Sequence, residues 1–134
     1  MRARSRTVLR WLLALLLVAQ GANHFVHEAF FVSMMPTYLP HPRALVVVSG
    51  VGEIVIGLSM LTPPLVGVAG AAAIALFVAV FPANVEMALH PERFPSVPVG
   101  LLYARLPLQA VLMLWAYATC LRRDAIAPRR SPPA

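Results

Sequence analysis

A chain of 134 residues has room for one domain. With 60 % of its residues hydrophobic, 12 % charged and a mean hydropathy of +0.77, it carries more apolar surface than a soluble domain of this size can bury. That excludes an ordinary soluble enzyme and points to an integral membrane protein. The formal charge of +6 does not indicate a nucleic-acid partner, because eight of the eleven basic residues sit at the ends: Arg2, Arg4, Arg6, Arg10, Arg122, Arg123, Arg129 and Arg130. Arginines beside apolar runs set membrane topology instead. The single cysteine, Cys120, excludes a disulfide framework and a CxxC redox pair.

The apolar pattern predicts four spans and an all-α, integral membrane four-helix bundle forming one domain. The first is read over residues 8–32. Its start, RTVLRWLLALLLVAQGA, has the look of a secretory signal, but the apolar run continues through Phe25, Phe30, Phe31 and Val32. That length suits an uncleaved, tilted span better than a signal core. SMMPTYLPHPR follows, a proline-punctuated connection. The second span, residues 44–61, holds one charge, Glu53, about 14 Å along the helix at 1.5 Å per residue. A carboxylate at that depth costs several kcal/mol unless it is paired, hydrated or protonated. Ser49, Glu53 and Gly57 recur every four residues and predict an inward small, polar stripe.

A short turn at Pro63–Pro64 leads to the third span, residues 65–89, whose Gly67, Gly70 and Ala71 to Ala73 allow close packing and whose Pro82 predicts a kink. The connection HPERFPSVP precedes the fourth span, residues 99–121, and an arginine-rich tail, residues 122–134. Four spans put both termini on one side, and the terminal arginines mark that side as cytoplasmic.

Polar residues converge on one layer. His24, His27, Asn84, Glu53 and Arg105 lie at similar depths in the non-terminal half of their spans, with Asn23 and Gln109 beside them. Gln20, His24, His27 and Phe31 follow the spacing of one helix face. Glu53 and Arg105 are expected in contact, as an ion pair fixing register or as part of a ligand cavity. Asn84 is expected to satisfy carbonyls freed by Pro82. Glu86 and His90, four apart, are expected to pair near the surface. His24 and His27 offer too few companion ligands for a metal, and none is expected.

Gly21-Ala-Asn-His-Phe25, MMPTYLP, SGVGEIVIGLSML, FPANVEMALHP and RLPLQ together resemble the DoxX-like group of small bacterial four-helix membrane proteins, including the MauE-type members. These stretches span nearly the whole chain except its arginine-rich ends. The resemblance implies a bundle in the bacterial cytoplasmic membrane, associated with quinone-linked or thiol redox systems. The lone cysteine departs from direct thiol–disulfide chemistry. The expected function is therefore an accessory, quinone- or lipid-binding subunit of a membrane redox system, partnered by the lipid bilayer and by a redox enzyme or a second copy. The competing expectations are a non-catalytic assembly scaffold and a small proton-coupled transporter. No stand-alone enzyme is expected, since no nucleophile or cofactor motif is visible.

Overall fold

Proline opens several helical segments of this chain, at Pro42, Pro63 and Pro91, because it is tolerated in a first turn, while Pro82 and Pro107 lie inside longer helices. In a computed structural model, which describes residues 1–122, helix α1 runs Ala3–Val26, α2 Glu28–Met34, α3 Pro42–Ser59, α4 Val66–Leu89 and α5 Val99–Ala116. Single turns at Pro63–Leu65 and Pro91–Arg93 lead into the connections, and a π-helical turn, Tyr117–Leu121, continues α5. No strand occurs among the described residues. Four segments, Ala3–Val26, Pro42–Ser59, Pro63–Leu89 and Val99–Leu121, are long and apolar enough to cross a membrane. Beyond Arg122 the expected tail, with Arg123, Arg129 and Arg130, lies outside the described residues.

The second, third and fourth expected spans match these segments to within a turn. The first does not run unbroken over residues 8–32. His27, at φ −118° and ψ 41°, leaves the helical region and ends α1. Its side chain meets Asn23 Oδ1 at 2.6 Å. Beyond the break, α2 buries Phe31 and Met34 in the core.

α1 packs chiefly on α3 and α4 chiefly on α5, and a smaller contact between α3 and α4 joins the two pairs. The α1–α3 seam depends on missing side chains: a Cβ on Gly21 would stand 2.6 Å from the Gly50 carbonyl oxygen and 2.7 Å from Ile54. Such close backbone approach maximises van der Waals contact between the two helices. The buried face of α3 is Val46, Gly50, Glu53 and Gly57, so the expected stripe is rotated slightly; Ser49 is half-buried and returns its hydroxyl to the Val46 carbonyl at 3.0 Å. α5 meets α1 chiefly at the chain-terminal end of the bundle, through the π-helical turn and Trp115 Nε1, which donates to the Leu9 carbonyl at 3.0 Å.

Two apolar clusters result. One, at the terminal end, gathers Leu13, Leu17, Met60, Ala73, Phe77, Ala116 and Cys120. The other gathers Phe31, Met34, Val46, Met87, Phe94 and Leu102.

Candidate functional site

Between those clusters lie His24, Glu53, Asn84 and Gln109, all buried although polar. Each is placed by its helix period: His24 continues the Leu13, Leu17, Gly21 face of α1, and Gln109 lies one heptad beyond the buried Leu102 of α5. The layer divides into two halves.

On α1 and α3, His24 Nδ1 lies 2.9 Å from the Gln20 carbonyl oxygen and 3.3 Å from Glu53 Oε2. A carbonyl only accepts, so Nδ1 carries the proton and directs it at Gln20. Glu53 Oε2 is consequently buried without an aligned hydrogen bond, although the imidazole nitrogen stands 3.3 Å away. The ring is stacked on Phe31, with centroids 4.0 Å apart and planes 20° from parallel.

On α4 and α5, Arg105 Nε donates to Asn84 Oδ1 at 3.1 Å, and Asn84 Nδ2 donates to Gln109 Oε1 at 2.5 Å. Gln109 Nε2 in turn donates to the Phe77 carbonyl. This chain corrects the expected role of Asn84: Gln109, from the neighbouring helix, reaches the backbone in the turns before Pro82. Arg105 is half-buried, and its two terminal nitrogens have no partner among the described residues.

The expected Glu53–Arg105 pair is not formed; no ion pair joins them among the described residues. Glu53 turns to α1 and Arg105 to α4, because His24 and Asn84 are the nearer polar groups on the helices against which α3 and α5 pack. Of the seven residues expected in the layer, five are brought into it. Asn23 and His27 bond each other instead, with His27 exposed at the helix break. The carbonyls of Gln20 and Phe77 were not foreseeable from residue type, since every residue has one. Among the described residues no three His, Cys, Asp or Glu side chains converge on one point.

The non-terminal end is fastened by ion pairs. Arg93 donates from Nη1 to Glu86 Oε1 at 2.7 Å and from Nη2 to the Ser33 carbonyl at 3.0 Å, tying α4 to α2. His90 Nε2 sits 3.7 Å from Glu86 Oε1, the expected i, i+4 pair, with Arg93 as an unexpected third member. Arg43 pairs with Glu28. Two open grooves mark the surface, one lined by Arg2, Arg4, Ser5, Val8 and Leu9, the other by residues around His41 and Arg43. Neither is lined by the buried layer.

The layer thus offers an acceptor without an aligned donor, Glu53 Oε2, and donors without an acceptor, the Arg105 terminal nitrogens. A family model described as a domain of unknown function (DUF8561) matches residues 13–120, which takes in both clusters and every residue of the layer. No curated protein and no solved structure shows significant similarity to the chain.

Proposed function

We propose that this chain, which belongs to the DUF8561 family, is an accessory subunit of a membrane redox system that binds the head of a quinone at its polar layer. The reading takes the four apolar segments as membrane spans with both termini in the cytoplasm of a bacterial cell, and it draws on the DoxX-type resemblance of the sequence. The observation that carries it is Arg105: a half-buried guanidinium without a carboxylate partner, held on one edge by Asn84, whose terminal N–H groups remain available. An unpaired cation at that depth is costly unless it serves a ligand or a water-filled path. Quinone carbonyls are acceptors, and quinol hydroxyls are donors that suit Glu53 Oε2. The seam between α1 and α5, which touch mainly at the terminal end, gives an apolar tail a lateral way in.

Binding of a short-tailed quinone to the purified protein, followed by tryptophan quenching, tests the reading. Arg105→Leu should weaken binding about tenfold to a hundredfold, the worth of one charged hydrogen bond. His27→Ala, exposed at the helix break, should leave it unchanged. An absence of saturable binding, or indifference to Arg105→Leu, favours a second reading. In that reading the chain is an assembly scaffold, favoured by the closed Asn84–Gln109–Phe77 chain and by grooves that lie away from the layer.

Reporter fusions check the topology. Those placed in the 35–41 and 94–98 connections should read external, and one after Arg122 internal. Equal activity at all three sites contradicts four spans.

A further inference from the structure

The two ends of the bundle balance their charge differently. At the non-terminal end Arg43 is matched by Glu28 and Arg93 by Glu86. The terminal end holds Arg2, Arg4, Arg6, Arg10 and Arg122, and no carboxylate among the described residues lies there. Arg2, Arg4 and Arg10 form no ion pair among the described residues. Arg10 is half-buried, and its Nε is inaccessible and without a hydrogen bond.

One of the two grooves lies among these residues. It is a shallow, open concavity of about 520 Å³ lined by Arg2, Arg4, Ser5, Val8 and Leu9. Its lining is cationic and hydroxylic toward the start of α1, at Arg2, Arg4 and Ser5, and aliphatic further along, at Val8 and Leu9. Along α1 the aliphatic surface continues over Leu12, Leu15 and Leu16, all exposed to the bundle's surroundings. A head bearing negative charge and a hydrocarbon tail are both provided for, in that order along the helix axis.

We infer that this groove binds an anionic phospholipid, its phosphodiester against Arg2, Arg4 and Ser5 and the first carbons of an acyl chain over Val8 and Leu9. Charge complementarity selects the occupant: the groove offers two arginines that form no ion pair among the described residues and a hydroxyl, and a zwitterionic lipid brings its own cation against them. Arginine also matches phosphate in geometry, donating two parallel N–H groups. The site is separate from the Arg105 layer and stands or falls without it.

The test uses the full chain in bilayer nanodiscs holding equal amounts of phosphatidylglycerol and phosphatidylcholine with the same acyl chains, followed by native mass spectrometry of retained lipid. Phosphatidylglycerol should be retained preferentially. Each groove arginine should contribute about fivefold, so Arg2→Ala with Arg4→Ala should bring retention close to that of phosphatidylcholine. Both side chains are exposed, so the bundle should unfold at the wild-type temperature. Arg43→Ala, at the opposite end, should keep the preference. Soluble glycerol phosphate should fail to displace the lipid, because it lacks the tail that Val8 and Leu9 receive. Equal retention of the two lipids by the wild type, an undiminished preference in the double variant, or full displacement by glycerol phosphate overturns the proposal.

Discussion

His24→Leu is expected to destabilise the bundle by about 3–5 kcal/mol, the usual consequence of removing one member of a buried pair. Glu53 is 6 % exposed, and the imidazole 3.3 Å from its Oε2 is the charged or polar side chain it faces. Leucine fills a similar volume against Phe31 but leaves the carboxylate with no partner. The double variant His24→Leu with Glu53→Leu should recover most of the loss, since an apolar replacement of a whole buried pair is often neutral or better. Thermal unfolding in detergent decides the matter: a single variant as stable as the wild type removes the pair from any account of the fold.

Gly21→Val is expected to cost about 1–3 kcal/mol or more, as overpacking does when nothing flexible can yield. The atom in the way of its Cβ is the Gly50 carbonyl oxygen, 2.6 Å off, and a helix backbone moves only as a whole. α1 and α3 would have to separate, and with them His24 and Glu53. Gly52→Ala provides the comparison one residue before Glu53. A Cβ there meets nothing within 4 Å, so the substitution should be neutral or raise stability by up to about 1 kcal/mol through helix propensity. Equal unfolding temperatures for the two variants would show that the seam is looser than its geometry.

The helices were legible because four apolar runs between proline-rich connections admit few other arrangements. The inward positions of Glu53, Asn84 and Gln109 were legible because a polar group in an apolar run is safest in the interior of a bundle. Pairing was not. Glu53 and Arg105 have opposite charges and similar depth, yet depth says nothing about which helices adjoin. The close approach of Gly21 to Gly50 settled that α3 lies on α1, and it placed His24 beside the carboxylate. The break at His27 was hidden for a related reason: Phe30, Phe31 and Val32 extend the apolar run whether the backbone continues straight or turns inward.

The layer between the two apolar clusters also restricts how the helices can slide. Leucine, valine and alanine surfaces are nearly interchangeable, so a shift of one turn, about 5.4 Å, would cost little in packing alone. In this chain such a shift carries Glu53 to the height of Gly57, against Leu17 and Val18 of α1, or Asn84 toward Phe94 and Leu102, with no polar side chain to meet it in either place. The polar residues therefore act as a key cut at a single height. Whatever else they bind, they give a slippery set of cylinders one longitudinal alignment out of several that greasy contact would tolerate.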